Sequence, residues 1–468
     1  MYLKRDRAKG PARMYFGYVA LLLVLLVLPA QAADNETEPL TYRHFEVTEE
    51  DGVVVAMTPI AADEPPLWAR DVSQAPYDWT AAAPDPEVPH FAGPLVYVLP
   101  PPEGSGEPFY SHNHQPAITW LDNGDLMAIW YSTEQEAGAE LTVLASRLRP
   151  DTEAWAPSSE FFKAPRRNMH GSALFHDGTG TVFHLNGMGP DGGTGWAALA
   201  LLMRTSRDNG VTWSPPQAIG PRVTGRKQVI AGTIKTADGV LIQPCDATHV
   251  GDGGTALHIS KDNGATWHDP GADKSVPDFV DGGVGEGTIA GIHAGVVELQ
   301  DGRLLAFGRG DDINRRMPQS ISADLGETWA YSASPFPSIR SGQRLVLLRL
   351  QEGPILLVSF TDFGRLDRER SGMEFARADG STFTGYGMFA ALSFDDGETW
   401  PERKLLTPGD PARSLDGGAW TGAFTMDATH AEPRGYLAAT QSPDGIIHLI
   451  SSRLHYQFNL AWLQTPNQ

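Results

Sequence analysis

The sequence predicts an all-β protein built from repeated antiparallel sheets, and three observations support this fold class. Apolar and polar residues alternate from Pro94 onward, as they do in half-buried strands. Asn-Gly and Asp-Gly pairs, such as Asn123-Gly124 and Asp238-Gly239, separate apolar runs and indicate hairpins. One octamer, Ser-x-Asp-x-Gly-x-Thr-Trp, recurs without a mismatch at residues 206–213, 260–267, 322–329 and 393–400.

The residues of the octamer are those of a turn that is held closed by hydrogen bonds. Its Asp carboxylate can accept hydrogen bonds from backbone N–H groups, and its Gly permits a positive φ. Its Trp begins the next strand, where the indole can pack between neighbouring sheets. The octamer resembles the Asp box of the sialidase (neuraminidase) superfamily, whose members are β-propellers. This resemblance extends from residue 94 to the end, and it implies that the octamers lie on the face away from the active site.

Hairpin signals divide the chain into six blades, so we predict a six-bladed β-propeller closed by an N-terminal strand. The blades are expected to start near Ala117, His170, Gln228, His293, Arg344 and Tyr436. The last blade has only three strands before the chain ends, and residues 95–99 can supply the fourth, which removes an exposed edge. The strand signals at residues 45–57 would make a seventh blade if they formed a sheet of their own.

The N-terminal region predicts export from the cytoplasm. Five basic residues precede a short apolar run at 18–28 and a small-residue cleavage site, which together describe a signal peptide at residues 1–32. An uncleaved anchor is the alternative. Residues 33–93 are expected to form a leader that wraps the propeller, and residues 94–468 the propeller itself. We therefore expect a secreted or periplasmic monomer that does not contact the membrane after cleavage.

Composition narrows the classes of partner. The formal net charge of −21 disfavours a nucleic-acid partner, because phosphate binding needs a basic face. The single cysteine, Cys245, excludes an intrachain disulfide. We expect no cofactor. An acidic oligosaccharide or polysaccharide remains a candidate partner if Arg and His side chains cluster locally.

Candidate site residues lie where the innermost strands start, because these starts converge on the axis of a propeller. The catalytic candidates are His114, His170, His293 and Tyr436. The candidates for binding substrate are Gln115, Arg309, Arg340, Arg344, Trp420 and His430.

The resemblance to sialidases fails at two of the chemical positions. Where that family has Arg-Ile-Pro, this chain has His114-Gln115-Pro116, and where it has a catalytic Glu, this chain has His293. Arg309 matches the second Arg of the family's triad, and either Arg340 or Arg344 matches the third. Tyr436 matches the catalytic Tyr. The resemblance thus implies a related site with altered chemistry.

This set of side chains favours β-elimination at a uronic acid. Arg309 would neutralise the carboxylate, a neutral His would abstract the C5 proton, and a Tyr or second His would protonate the leaving oxygen. Propeller polysaccharide lyases are similar in outline. Sialidase-like hydrolysis is the first alternative, and it needs carboxylates, for which the candidates are Asp246, Asp311, Asp312, Asp362, Asp427 and Glu432. Two further alternatives remain. One is a metal site with His114, His170 and His293 as ligands. The other is a non-catalytic glycan-binding propeller that uses Trp196 and Trp420.

Overall fold

The computed structural model describes residues 38–193, 196, 198–248, 251–362 and 371–467. The predicted signal peptide lies outside these residues. Among the described segments, no helix is both long and apolar enough to cross a membrane.

The chain begins with a hairpin and then a strand that pairs far along the sequence. Their bounds are β1 Tyr42–Glu50, β2 Val53–Ala61 and β3 Phe91–Val96. Between them lie a 3₁₀ turn at Leu67–Ala69 and a single helical turn, α1, at Trp79–Ala82.

Six antiparallel sheets follow, one for each blade. Blades one and two contain β4 His112–Trp120, β5 Leu126–Thr133, β6 Thr142–Leu148, β7 Ser159–Phe162, β8 Ser172–His176, β9 Val182–Met188, β10 Leu199–Ser206 and β11 Gln217–Thr224. Blades three and four contain β12 Gln228–Val229, β13 Ile234–Lys235, β14 Leu241–Asp246, β15 Thr255–Ser260, β16 Val284–Glu286, β17 Ile292–Glu298, β18 Leu304–Arg309, β19 Arg316–Ser322 and β20 Thr328–Pro337.

Blades five and six contain additional short strands besides those of their main sheets. Their strands are β21 Gln343–Arg344, β22 Val346–Arg349, β23 Ile355–Phe360, β24 Met373–Ala376, β25 Thr382–Gly385, β26 Met388–Ser393, β27 Glu402–Leu405, β28 Arg413–Asp416, β29 Ala423–Met426, β30 Gly435–Tyr436, β31 Ala438–Gln441, β32 Ile447–Ile450 and β33 Leu454–Phe458. A short helix, α2, ends the described chain at Leu460–Gln464.

The sheets form a closed ring, and the prediction of six blades is confirmed. Neighbouring inner strands contact one another, and β31 of blade six lies against β4 of blade one. The outer strand of blade six is β3, which pairs with β33 through Leu95 and His455. The N-terminal closing strand is therefore confirmed, although it starts four residues earlier than the pattern at 95–99 indicated.

The leader hairpin does not make a seventh blade. It extends blade two, whose sheet runs in the order β1-β2-β11-β10-β9-β8. Tyr42 at its start is fully buried, and its ring lies 5.0 Å from the Arg204 guanidinium carbon of that blade. The same guanidinium lies over Phe161, Phe162 and Trp213. The hairpin is thus packed into the wall of the propeller.

Each octamer folds as the same turn. In the first copy, Asp208 Oδ1 accepts from the Ser206 hydroxyl (2.8 Å) and from the Thr212 N–H (2.9 Å), while Oδ2 accepts from the Thr212 hydroxyl (2.6 Å). Gly210 has φ +73, which a side chain would strain. The other copies repeat these bonds. The Trp213 ring packs edge-on against Phe161 of the preceding blade, so the motif also joins adjacent sheets.

Candidate active site

A cavity of about 620 Å³ lies where the inner strands start. Strand ends and the loops beside them supply its walls. The lining residues are Tyr131, Glu136, His170, Trp196, Gln228, Asp246, Gly251, Asp252, Ile292, His293, Arg309, Arg340, Ser341, Arg434 and Tyr436. Five of the ten residues predicted from sequence for catalysis or binding therefore line this cavity: His170, His293, Arg309, Arg340 and Tyr436.

His293 enters the cavity from a β-bulge. The pairing of β17 with β18 shifts register between Ile292 and Gly295, and His293 adopts φ 52, a left-handed conformation that is uncommon for a residue with a side chain. Gly295 is required here because a Cβ at this position would lie 2.7 Å from Leu347 Cβ of the next blade. The bulge therefore turns the imidazole toward the axis while the strand stays packed.

Asp246, His293 and Tyr436 form a chain of polar contacts. Asp246 Oδ1 accepts the backbone N–H of His293 (2.6 Å), and its Oδ2 lies 2.8 Å from His293 Nδ1. His293 Nε2 lies 2.9 Å from the Tyr436 hydroxyl. Because Nδ1 faces the carboxylate, the neutral imidazole carries its proton on Nδ1, and Nε2 is left to accept the proton of the phenol. This geometry can move a proton from Tyr436 to His293.

Arg309 completes this wall. Its Nη1 donates to the Tyr436 hydroxyl (2.9 Å) and to the Gln343 carbonyl (3.0 Å), and its guanidinium carbon lies 5.4 Å from the centre of the Tyr436 ring. The phenol oxygen is therefore held between a proton acceptor and a cation, which is the environment that stabilises a developing phenolate.

Burial controls the protonation of this wall. It lowers the pKa of His293 to about 4, with Arg309 acting in the same direction and Asp246 opposing it, so the imidazole is neutral at pH 7. Burial raises the pKa of Tyr436, and Arg309 opposes that rise. The resting pair is thus a neutral phenol and a neutral imidazole.

A second group of side chains forms the blade-one side of the cavity. Glu136 Oε1 accepts from the Tyr131 hydroxyl (2.6 Å) and lies 3.2 Å from His112 Nε2. Burial alone would raise the pKa of Glu136, but these hydrogen bonds lower it below its usual value and keep the carboxylate ionised. His170 packs against Tyr131 with ring centroids 5.2 Å apart, and burial lowers its pKa to about 4.

Three sequence candidates, His114, Gln115 and Arg344, are buried and lie outside the cavity lining. His114 is fully buried, its Nδ1 lies 2.9 Å from the Ser452 hydroxyl, and its ring centroid lies 3.9 Å from that of Tyr436. Gln115 is 1 % exposed with φ 55, and neither of its side-chain polar atoms has a partner among the described residues. Arg344 donates from Nε to the Leu437 carbonyl and from Nη2 to the Pro116 carbonyl.

Of the last three candidates, Arg340 lines the cavity and the other two do not. Arg340 spans two carboxylates, with Nη1 3.0 Å from Asp252 and Nη2 2.6 Å from Asp312. His430 pairs with Asp427 and stacks on Tyr386, and it is not part of the cavity lining. Trp420 is also outside the lining; it is half exposed, and it meets the His112 ring edge-on at 5.5 Å.

Of the six carboxylates considered for hydrolysis, the described cavity lining includes Asp246 alone. Glu432 is fully buried, accepts from the Tyr456 hydroxyl (2.7 Å), and has its pKa raised by burial to about 8. Within the described segments, no group of three or more His, Cys, Asp or Glu side chains is placed to hold a metal ion. The three His proposed as metal ligands instead have Ser452, Gln228 and Tyr436 as neighbours.

Sequence reasoning missed Tyr131 and Glu136. A signal for Tyr131 was present, because the hairpin of blade one pairs His114 with Tyr131 and so carries both toward the axis. Asp246, which the sequence predicted only as a carboxylate for hydrolysis, is placed in the same way, since it pairs with Gln228 across β12 and β14. Glu136 lies in the loop after β5, where pairing gives no guidance.

Comparison with known proteins identifies relatives of this fold. A family model described as a BNR repeat-like domain matches residues 124–449. Among solved structures, a protein of unknown function from Dyadobacter fermentans DSM 18053 is similar at 16% identity, covering 79% of this chain and 99% of that chain with a TM-score of 0.50. The Hadza microbial sialidase Hz136 is similar at 19% identity over 75% of this chain and 66% of that chain, with a TM-score of 0.50.

A sialidase from Trypanosoma rangeli, solved in complex with 2,3-difluorosialic acid as a covalent intermediate, is similar at 14% identity. That likeness covers 81% of this chain and 60% of the trypanosomal chain, with a TM-score of 0.52. At these identities the likeness shows the fold alone. No curated protein matches the sequence.

Proposed function

The chain belongs to the BNR repeat-like domain family and has the propeller fold of sialidases, and from that premise we propose that it cleaves a glycosidic bond beside an acidic sugar. One observation carries the proposal. The Tyr436 hydroxyl lies 2.9 Å from both His293 Nε2 and Arg309 Nη1, at the wall of a cavity large enough for a sugar. A phenol held between a base and a cation is equipped to exchange a proton with substrate.

In this proposal Tyr436 meets the substrate and His293 acts through it. His293 is 2 % exposed, and its Nε2 is capped by the phenol, so the substrate proton reaches the imidazole by way of Tyr436. Asp246 holds the imidazole and stabilises it when it becomes charged. This differs from direct proton abstraction by His293, the role that the sequence alone predicts.

The preferred reaction is β-elimination at a uronic acid. The phenol proton passes to His293, and the phenolate takes the proton from C5 of the sugar. The C5–H electron pair forms the C4=C5 double bond, and the C4–O bond breaks with its pair on the leaving oxygen. That oxygen takes the proton back from Tyr436, and His293 then reprotonates the phenolate, so no water is consumed.

Arg309 supports this step in two ways. Its charge lies beside the phenol oxygen and favours the phenolate. Its described hydrogen bonds both leave from Nη1, so Nη2 can bind the sugar carboxylate and acidify the C5 proton. The binding partner that follows is an acidic oligosaccharide or polysaccharide.

The carboxylates of the cavity favour elimination over hydrolysis. Hydrolysis with a carboxyl acid needs a protonated group beside the leaving oxygen. The pKa of Glu136 is lowered, Asp246 lies behind His293, and Asp252 accepts from Arg340. Among the carboxylates of the described lining, none is therefore equipped to donate that proton at neutral pH.

Sialidase-like hydrolysis is the second candidate, and one observation favours it. His293 occupies the position of the sialidase Glu, and its contact with Tyr436 is what activation of a Tyr nucleophile requires. A covalent sugar–Tyr436 intermediate would then form. Incubation with a 2,3-difluorosialic acid probe followed by peptide mass spectrometry tests this candidate. An adduct on Tyr436 favours hydrolysis, and an unmodified peptide counts against it.

The main test is digestion of uronate-containing polysaccharides with the purified protein. Elimination produces an unsaturated uronate that absorbs ultraviolet light, and hydrolysis does not. We expect ultraviolet absorbance and reducing ends to rise together. Reducing ends without absorbance would contradict the lyase reaction, and release of neither would contradict the enzyme proposal and favour a glycan-binding propeller. The signal peptide predicted at residues 1–32 supports a secreted or periplasmic location, which cell fractionation tests.

A further inference from the structure

An exposed aromatic residue stands beside the cavity in an unusual conformation. Trp420 lies in the loop between β28 and β29, is 51 % exposed, and has φ 62. A bulky side chain in the left-handed region is strained, so the surrounding loop must hold it there. The Thr421 N–H donates to the Gly418 carbonyl, and Arg434, which lines the cavity, donates to the Trp420 carbonyl.

Trp420 is continuous with the blade-one side of the cavity. Its ring meets that of His112 edge-on at 5.5 Å, and His112 Nε2 lies 3.2 Å from Glu136 Oε1. We name Trp420, His112 and Glu136 the rim strip. It leads from an open surface into the cavity, where Glu136 forms part of the wall.

Glu136 has one oxygen available to a ligand. Oε1 accepts from Tyr131 and contacts His112, whereas Oε2 makes no hydrogen bond to a described residue, and a third of the side chain is exposed. The carboxylate is held ionised by those two partners. It can therefore accept hydrogen bonds from sugar hydroxyls, and its charge repels a second carboxylate.

The rim strip has the two features that a sugar ring needs. An exposed indole covers the apolar face of a pyranose, and a carboxylate beside it accepts from the hydroxyls at the ring edge. The cavity lining contains three basic residues, Arg309, Arg340 and Arg434, and it also contains Glu136, the carboxylate of the rim strip. The site thus offers a cation to one sugar and an anion to the next.

We propose that the rim strip is a second sugar subsite, which binds a neutral or amino sugar linked to the acidic sugar in the cavity. This rests on the proposed function for the identity of the first sugar. The substrate class is then a polysaccharide in which acidic and non-acidic residues alternate. A polymer of uronate alone is disfavoured because it would set a carboxylate against Glu136.

Binding can be measured without turnover in a Tyr436→Phe background. The probes are a hyaluronan tetrasaccharide, in which glucuronate alternates with N-acetylglucosamine, and a tetragalacturonate, which contains uronate alone. Titration calorimetry should give at least tenfold tighter binding of the alternating probe. Trp420→Ala should weaken that binding about tenfold, and Glu136→Gln should reduce the preference for the alternating probe.

Matched controls come from the fourth octamer, which has an exposed aromatic and a Glu of its own. Phe394→Ala and Glu398→Gln should leave both affinities unchanged. Equal binding of the two probes, tighter binding of tetragalacturonate, or no effect of Trp420→Ala would overturn the subsite. If the Tyr436→Phe variant binds both probes as expected but the native protein shows no turnover, the subsite is retained and the proposed cleavage is rejected.

Discussion

The octamer turns and the axial cavity are built in opposite ways. The hydrogen bonds from Ser and Thr to the Asp that close each octamer turn lie within eight residues, and all four copies make the same ones. The cavity joins residues that are distant in sequence: His293 and Tyr436 are 143 residues apart, and Arg309 and Tyr436 are 127 apart. Each blade contributes a different side chain. Repetition therefore specifies the scaffold, and departure from repetition specifies the chemistry.

The strongest test of this contrast is removal of the Tyr436 hydroxyl. Tyr436→Phe keeps the ring but removes the group that exchanges the proton, so turnover should fall about 10³-fold. Steady-state kinetics measure the loss, and thermal unfolding should show little change. The matched control is Tyr386→Phe, whose ring stacks on His430 outside the cavity. Equal activity of the Tyr436→Phe variant and the native protein would contradict the role proposed for Tyr436.

The next largest effect should come from the carboxylate behind His293. Asp246→Asn keeps the shape but no longer fixes the Nδ1–H tautomer, so kcat should fall roughly 10²-fold with a smaller change in KM. The control is Asp427→Asn, because Asp427 contacts His430 in an Asp–His pair outside the cavity. A loss in Asp427→Asn as large as that in Asp246→Asn would show that the effect is not specific to the cavity.

The pH profile tests the cavity directly, because burial there shifts the pKa of the proton acceptor, His293. His293 has a pKa lowered from 6.5 to about 4, and its neutral form is the one that accepts the proton. Activity should therefore persist as pH falls from 6.5 toward 4 and decline by about tenfold per pH unit below that. A plot of log kcat/KM against pH measures this decline. An acid limb centred at 6.5 would mean that the acceptor is an exposed imidazole.

The octamers should respond in stability and not in activity. Asp208→Ala removes the acceptor of three turn hydrogen bonds and should cost about 1–2 kcal/mol of unfolding free energy. Asp262→Ala should act in the same direction. Urea unfolding measures the loss, and kcat at low temperature should stay within about twofold. A large fall in kcat would show that the two ends of the blades are coupled.

The same contrast explains what the sequence could predict. Turn chemistry and strand alternation are local, so they predicted the four octamer turns, the six blades and the closing strand near Leu95. They also brought Tyr436, His293 and Arg309 to one place. They could not show that Tyr436 caps His293, nor that His114 lies behind Tyr436, because both depend on side-chain packing between different blades.

Glu136 and the leader hairpin show what the sequence pattern could not predict. Glu136 lies in a loop, and only the three-dimensional contacts with Tyr131 and His112 make it part of the site. The leader hairpin carried a clear strand pattern, but its edge pairing with blade two, Val53 opposite Arg222, is not encoded by alternation. That pairing decided between six blades and seven.

The most direct test of the central claim is a crystal structure of the Tyr436→Phe variant with an acidic oligosaccharide bound. We expect the sugar carboxylate to lie within hydrogen-bond distance of Arg309 Nη2 and the scissile bond to lie beside the ring of residue 436. An oligosaccharide bound instead in the cavity of about 230 Å³ lined by Trp120, His176 and Arg349 would contradict it.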